Sequence, residues 1–217
     1  MSPQAALSKA PLRLVAPGTR AESEGLDDEA LILAVQRGDR QVASALYDRL
    51  IRVVDHTVYR VFGRREPDHD DLVQMVFEQI VLTLSRRSYA RACNLRTWAS
   101  SIASHVAFNA LRSRRRERKV MDREAPPDSE TYAARGDVER EAAVRSELSL
   151  VRAALVEMKP QYAETVFLHD VLGHELAEIA LMTRVSVAAA QSRLVRGRKD
   201  LHRRLASATP AVEAAAR

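Results

Sequence analysis

One group of acidic residues has the composition of a metal site. Residues 66–71 contain Glu66, Asp68, His69, Asp70 and Asp71, and carboxylates with an imidazole can bind hard or borderline metal ions. Adjacent acids on a helix diverge, however, and acids in a first turn complement the positive end of the helix dipole. The cluster therefore favours a capped helix start with an acidic surface, and we expect neither a metal nor another cofactor.

A second group forms a polar stripe that suits nucleic acid. Ser101, His105, Asn109 and Arg112 follow one another at steps of three or four residues, so they lie on one face of a helix. An Arg-rich run follows them. Amides and cations beside an aromatic ring can contact the unstacked bases of single-stranded nucleic acid. The ring of Trp98 itself is expected to belong to the hydrophobic core. The candidate residues are Asn94, Arg96, Trp98, Ser101, His105, Asn109 and Arg112.

The second half of the chain contains a helix-turn-helix pattern, HELAEIALMTRVSVAAAQSRLVRGRK, at residues 174–199. Ser186 can cap the second helix, whose first turns would then enter a major groove. The facing apolar residues are expected to be Leu176, Ile179 and Ala180 against Val185, Val187, Ala190 and Leu194. The candidate DNA-binding residues are Ser186, Gln191, Ser192, Arg193, Arg196, Arg198 and Lys199. A plain helical hairpin is the alternative.

The elements that position these residues are predicted to be helices throughout. Apolar residues recur at helical spacing, and caps or glycines mark the ends: Asp27 and Gly38 bound one helix, and Gly63 ends the next. A third helix opens after Pro67 and a fourth near Arg96, and four more occupy the second half between residues 147 and 205. With only seven glycines and 5% aromatics, the fold class is all-α.

Composition restricts the function classes further. The 217 residues carry a net charge of +5 and one cysteine, Cys93, which excludes an internal disulfide framework. Residues 112–119 and 193–204 each hold six bases against one acid, so these two runs are candidate phosphate-binding surfaces, with a solvated helix face as the alternative. No apolar run approaches the roughly 18 residues of a membrane helix, and no secretion signal is evident. We therefore expect a cytoplasmic protein without membrane insertion.

Changes in composition divide the chain into five parts. Residues 121–146 hold Pro126, Pro127 and Gly136, an excess of acids and few large apolar residues, which is typical of a flexible acidic linker. The expected organisation is a flexible arm at 1–26, a helical domain at 27–120, the linker at 121–146, a helix-turn-helix domain at 147–209 and a disordered tail at 210–217.

Both domains resemble conserved parts of one protein family. Leu46-Tyr47, Asp71-Leu72-Val73-Gln74, Val76-Phe77, Trp98, Ile102-Ala103 and Leu111-Arg112 resemble region 2 of bacterial sigma factors. Phe167-Leu168-His169-Asp170, Gly173, Glu178-Ile179-Ala180, Ser192-Arg193-Leu194 and Arg196-Gly197-Arg198 resemble region 4. The two regions joined by a short linker are similar to the extracytoplasmic-function group of the sigma-70 family.

The resemblance implies partners and roles. It implies binding of core RNA polymerase and promoter DNA, with promoter recognition, DNA melting and initiation as the function, no enzymatic activity, and an anti-sigma factor as a further partner. The residues that it places against the polymerase are Asp70, Asp71, Gln74, Phe77 and Glu78. The loop near Asn94 and the helix after Trp98 would open and read the −10 element, and the helix from Val187 would read the −35 element.

This sequence departs from the family pattern at several positions. Arg184 stands in the helix-helix turn where Gly is frequent. A positive φ is uncommon for Arg, so we expect a turn that is either reshaped or mildly strained. Residues 188–190 are Ala-Ala-Ala where Gly-Thr-Val is frequent, and Ser101 and His105 stand where Arg and Asn are frequent. Base preferences therefore cannot be copied from relatives.

Two other function classes stay open at this point. A stand-alone helix-turn-helix regulator explains the second half but leaves the motifs between Leu46 and Arg112 without a role. A small hydrolase would use the acidic cluster or the second set of titratable residues, His169, Asp170, His174 and Glu175. His169 and His174 are five residues apart, unlike the i, i+4 pair of a helical zinc site.

Overall fold

The computed structural model describes residues 27–39, 42–89, 93–121 and 137–215. The helices are α1 (Asp28–Gln36), α2 (Val42–Phe62), α3 (His69–Ser85), α4 (Leu95–Met121), α5 (Asp137–Glu157), α6 (Pro160–Val166), α7 (Leu176–Met182) and α8 (Val187–Ala215). A π-helical turn, Phe167–Val171, continues α6. The described residues contain no strand, which confirms the all-α prediction. None of their helices is long and apolar enough to cross a membrane.

Local signals in the sequence explain most helix ends. The Asp27 carboxylate accepts a hydrogen bond from the Ala30 N–H at 2.7 Å and caps α1, and the Ser186 hydroxyl accepts one from the Ala189 N–H at 3.1 Å and caps α8. Gly38, Gly63 and Gly173 have φ of 78°, 71° and 76°. This left-handed backbone is accessible to glycine at little cost and ends each preceding segment.

Two predicted boundaries differ from the structure. Helix α5 begins at Asp137, inside the segment predicted as linker, because the stretch DVEREAAVRSEL has strong helix formers although it has few apolar residues. Helix α8 continues to Ala215, through most of the segment predicted as a disordered tail, which is rich in Ala. The predicted arm at 1–26 and the Pro126-Pro127 part of the linker lie outside the described residues.

The first half, α1 to α4, and the second half, α5 to α8, share one hydrophobic core. Helix α4 packs on α2 and α3 and also touches α5, α6 and α7. At the centre of this seam the rings of Phe108 on α4 and Phe167 meet edge to face, with centroids 5.2 Å apart. Both rings are buried, so the two halves form a closed arrangement.

Two glycines permit close approaches in this arrangement. Beside Gly63, the guanidinium of Arg152 lies so near that an added Cβ would sit 1.5 Å from its Nη2. Within α8, a Cβ on Gly197 would lie 2.6 Å from Val166 Cγ2 and 3.1 Å from the backbone oxygen of Tyr162. Gly197 therefore lets α8 and α6 cross closely behind the helix-turn-helix.

Candidate nucleic-acid interface

The start of α3 presents an acidic face. Asp70, Asp71, Gln74 and Glu78 are exposed, because the opposite face of the helix carries the apolar residues that enter the core. The Gln74 amide donates to Glu78 Oε1 at 3.0 Å. Asp70 accepts from Arg65 at 2.7 Å. Four of the five predicted polymerase-binding residues thus share one solvent-facing surface.

Aromatic and apolar side chains border this acidic face. The fifth predicted residue, Phe77, is half-buried against Tyr47 of α2, with ring centroids 4.7 Å apart. Met75 is half-exposed, although the sequence analysis did not single it out. An acidic surface with an apolar border provides both charge steering and area that can be desolvated by a basic partner.

The acidic cluster at residues 66–71 is used for internal pairing. Glu66 and Asp68 pair with Arg114 of α4, and the Arg114 guanidinium lies 4.7 Å from the Phe62 ring centroid. His69 is buried, and its Nε2 lies 2.8 Å from Asp55 Oδ1. Among the residues that the structure describes, no group of three or more His, Cys, Asp or Glu is arranged to hold a metal ion.

Two of the first three candidate −10 residues, Asn94 and Trp98, have structural roles at the start of α4. The Asn94 side-chain oxygen accepts from the Thr97 N–H at 2.7 Å and so caps the helix. The Trp98 ring is 8% exposed and lies 4.6 Å from the Tyr89 ring, which agrees with the expectation that the ring itself belongs to the core. Arg96 is exposed.

The rest of the polar stripe lies against the second half of the chain. His105 Nδ1 is 3.0 Å from Glu164 Oε1 on α6, and His105 Nε2 is 2.9 Å from Asn109 Nδ2. These contacts are satisfied together when Nδ1 carries the proton, donating to Glu164, and Nε2 accepts from the Asn109 amide. The hydrogen bond to Glu164 raises the pKa of His105, against the opposing effect of burial.

The two ends of the stripe also have protein partners. Ser101 is half-buried and donates to the Trp98 carbonyl at 2.8 Å. Arg112 lies 5.5 Å from the Phe108 ring centroid, and burial lowers its pKa. Two of the four stripe residues, His105 and Arg112, thus face α6 or the Phe108–Phe167 contact, and the stripe is partly covered in the closed arrangement.

The helix-turn-helix is formed by α7, residues 183–186 and α8. Ile179 and Ala180 pack on Ala190 and on Leu168 of the π-helical turn. The prediction that Val187 faces α7 was wrong, because its side chain is 51% exposed as the first residue of α8 after the Ser186 cap. Arg184 has φ of 55°, so of the two alternatives the turn keeps a left-handed residue and is strained, not reshaped.

The predicted reading face of α8 is open to solvent. Ser186, Gln191, Ser192, Arg196, Arg198 and Lys199 are exposed, and Arg193 is half-buried. Within the described ranges, five of these side chains make no hydrogen bond or ion pair; they are Gln191, Ser192, Arg193, Arg196 and Lys199. Arg198 instead binds Asp170, with Nε 3.0 Å from Oδ2, and so fixes α8 to the π-helical turn.

The ion pair between Arg198 and Asp170 gives Asp170, one of the second set of titratable residues, a structural role. The hydrogen bond from Arg198 lowers the pKa of Asp170, and a contact with His169 lowers it further. His169 Nδ1 lies 2.8 Å from Asp170 Oδ1, whereas His174 contacts Ser100 on α4 instead. His169 and His174 therefore have different partners, and the structure does not bring them together as a hydrolytic site.

Besides the His105–Glu164 contact, four more polar contacts between described residues join the halves, and the sequence did not reveal them. The Arg184 guanidinium donates to the Ser88 carbonyl at 2.9 Å, and the Arg60 guanidinium donates to the Val171 carbonyl at 3.0 Å. His174 Nε2 lies 2.7 Å from Ser100 Oγ, and Arg115 lies 2.6 Å from Glu157. Each pair joins distant parts of the chain, so helix periodicity contains no signal for it.

Comparison with known proteins identifies relatives of both halves. The model of Sigma-70 region 2 matches residues 46–117, and the model of Sigma-70 region 4 matches residues 141–201. RNA polymerase sigma factor CarQ of Myxococcus xanthus is 30% identical over 132 residues, which are 61% of this chain and 71% of CarQ.

Two solved structures are similar to parts of this chain. The structure of CnrH in complex with the cytosolic domain of CnrY contains a chain with a TM-score of 0.50 and 22% identity, covering 83% of this chain and 97% of that one. The sigma factor RpoE of Bartonella quintana, solved with the anti-sigma factor NepR, has a TM-score of 0.44 and 19% identity, covering 73% of this chain and 94% of that one.

Proposed function

The chain belongs to the extracytoplasmic-function group of the sigma-70 family, and from this membership we propose how its surfaces divide the work of initiation. As a sigma factor it binds core RNA polymerase and directs promoter recognition, DNA melting and transcription initiation. A stand-alone regulator is disfavoured because residues 46–117 match region 2 as well. We assign no catalytic step to the chain and place its work in the cytoplasm, with the polymerase.

The polymerase contact is assigned to the acidic face of α3. The residues are Asp70, Asp71, Gln74, Phe77 and Glu78, with Met75 added from the structure. The observation that carries this assignment is the exposure of the four polar side chains on one face beside the half-exposed Met75. A basic partner helix would be attracted by the charge of the acidic side chains and would bury apolar area against Met75.

Charge reversal on this face tests the assignment. We expect Asp71→Arg with Gln74→Arg to weaken binding of core polymerase about tenfold or more, equivalent to about 1.4 kcal/mol. Glu147→Arg with Gln161→Arg is the matched control, since it makes the same charge change at exposed positions of α5 and α6. Affinity is measured by fluorescence anisotropy, with circular dichroism to confirm folding. Equal affinity of the two double variants would refute the assignment.

DNA contacts are divided between α4 and α8. We assign the −10 element to the region 27–120 through Asn94, Arg96, Ser101, His105, Asn109 and Arg112, with Trp98 as support beneath them. We assign the −35 element to the region 147–209 through the exposed start of α8. Because α6 lies against the stripe, reading the −10 element requires the two halves to part.

Within α8 we assign base reading and phosphate contact to different residues. Gln191, Ser192 and Arg193 lie near the helix start, where base edges are approached, and Arg196 and Lys199 lie further along. Arg193→Ala is expected to cost about 1–3 kcal/mol at cognate promoters and relax one base position. Lys199→Ala should weaken all promoters alike and reduce the salt slope by about one.

A promoter library transcribed at two salt concentrations distinguishes these two effects. If Arg193→Ala lowers transcription equally from every sequence, the side chain does not read bases, and the Ala-rich helix start must act through shape and backbone approach. We also propose an anti-sigma factor as a partner, in line with the family resemblance. The similar chain in the CnrH structure belongs to a complex with the cytosolic domain of CnrY.

A further inference from the structure

A cleft opens along the seam between the two halves. Its volume is about 400 Å³, within the range of small-molecule sites. The walls come from both halves: α2 and the first turn of α4 on one side, and the loop before α7 on the other. The lining residues are Arg52, Val53, His56, Arg96, Thr97 and His174.

Three of the side chains that line the cleft are basic and unpaired. Arg52, His56 and Arg96 are exposed, and in the part of the chain that the structure describes none of them makes a hydrogen bond or ion pair. Other arginines of α2 are used differently: Arg49 pairs with Asp28 at 2.8 Å, and Arg60 binds the Val171 carbonyl. No carboxylate lines the cleft, so its cations have no internal counter-charge.

The remaining polar group, His174, closes the cleft from the second half. Burial lowers its pKa, which favours the neutral imidazole. Ser100 Oγ lies 2.7 Å from the Thr97 carbonyl and 2.7 Å from His174 Nε2. The single hydroxyl proton goes to the carbonyl, so both contacts are satisfied when Nε2 carries a proton and donates to Ser100 Oγ. His174 thereby fixes one wall of the cleft to α4.

We propose that this cleft binds a small anion bearing phosphate groups in the closed, polymerase-free chain. Two guanidinium groups and an imidazole can donate several hydrogen bonds to phosphate oxygens, and guanidinium forks do so bidentately. Arg52, His56 and Arg96 belong to the first half and His174 to the second, so both walls of the cleft are present only when the halves are closed. A ligand that binds the closed form more tightly than the open form raises the closed population.

Binding of such an anion therefore inhibits promoter recognition. Arg96 also belongs to the proposed −10 surface, so an anion held there competes with promoter DNA directly and through closure. Anion binding itself does not depend on the promoter roles assigned above, since it is measured on the free chain without polymerase or DNA. A failure of anion binding and a failure of promoter reading are therefore distinguishable.

The test titrates the full chain with pyrophosphate at constant ionic strength set by chloride. Binding is followed by isothermal calorimetry and by the imidazole NMR signals of His56 and His174. We expect saturable binding that moves both signals, and at least tenfold weaker binding by the Arg52→Gln/Arg96→Gln variant. The control, Arg37→Gln/Arg86→Gln, removes two exposed arginines outside the cleft and should bind as the unmodified chain does.

Three results would overturn the proposal. The first is the absence of saturable binding, and the second is equal weakening in both double variants, which would show only general charge attraction. The third concerns the source of the phosphate. If a short single-stranded oligonucleotide moves the His56 signal in an Arg52- and Arg96-dependent way while pyrophosphate does not, the cleft is part of the DNA path instead.

Discussion

Arg184 combines two opposite energetic effects, and substitution can separate them. Its φ of 55° places a Cβ in the left-handed region, where glycine is favoured by about 1 kcal/mol after allowing for its greater freedom in the unfolded chain. Its guanidinium donates to the Ser88 carbonyl, an exposed contact worth about 0.5–1 kcal/mol. Arg184→Ala should therefore lose the contact and keep the strain, whereas Arg184→Gly should lose both.

Stability and closure should consequently respond differently. We expect Arg184→Gly to be more stable than Arg184→Ala by about 1 kcal/mol, or roughly 3 °C in Tm for a chain of this size. Both variants should be equally more open than the unmodified protein, since both lack the guanidinium. Tm is measured by calorimetry, and closure by energy transfer between dyes at Asp48→Cys and Ser207→Cys in a Cys93→Ser background.

Arg87 offers a matched control. Its φ is 53° and its side chain is exposed, but it makes none of the contacts between the halves. Arg87→Gly should exceed Arg87→Ala in stability by a similar amount while closure stays unchanged. The reasoning fails if Arg184→Gly and Arg184→Ala are equally stable, or if closure in both equals that of the unmodified chain.

The other predictions concern packing and pH. Gly197→Ala should lower stability by about 1 kcal/mol in urea unfolding, since overpacking against Val166 outweighs the gain in helix propensity; an increase would contradict the close crossing. Because its bond to Glu164 raises the pKa of His105, the charged form of that contact favours closure fully below pH 6.5, and this added stabilisation is lost as pH rises through the raised value. Burial lowers the pKa of His174, so the contribution of His174 to closure is lost as pH falls. To isolate His105, energy transfer is therefore compared between the unmodified chain and His105→Gln. We expect a difference of about 0.5 kcal/mol at pH 5.5, given the exposure of the pair, and a smaller one at pH 8.5, where the neutral imidazole still donates from Nδ1; a difference independent of pH would show that the charge on His105 does not contribute.

The features that the sequence predicted well depend on near neighbours. Asp27 and Ser186 cap helices three residues away, and Gly63 ends α2 through its own backbone. The stripe on α4 and the reading face of α8 follow from helix periodicity alone. Their side chains could therefore be grouped before any tertiary structure was known, although their roles remain predictions.

The contacts between the halves could not be predicted in the same way. His105 and Glu164 are 59 residues apart, Ser100 and His174 are 74 apart, and the segment between the halves is poor in apolar residues. No periodicity couples such positions. The cleft between the halves and the partial covering of the stripe both depend on this long-range packing, and only the structure revealed them.

The double use of helix α4 has an evolutionary consequence. The same side chain, His105, contacts Glu164 across the two halves and is also the one that we propose reads promoter DNA. A substitution of His105 that changes promoter preference will therefore also change the basal level of transcription in the absence of an inducing signal. Compensation can come from Glu164, which lies outside the proposed reading surfaces. Lineages that diversify their promoter preference at position 105 should accordingly show paired changes at position 164.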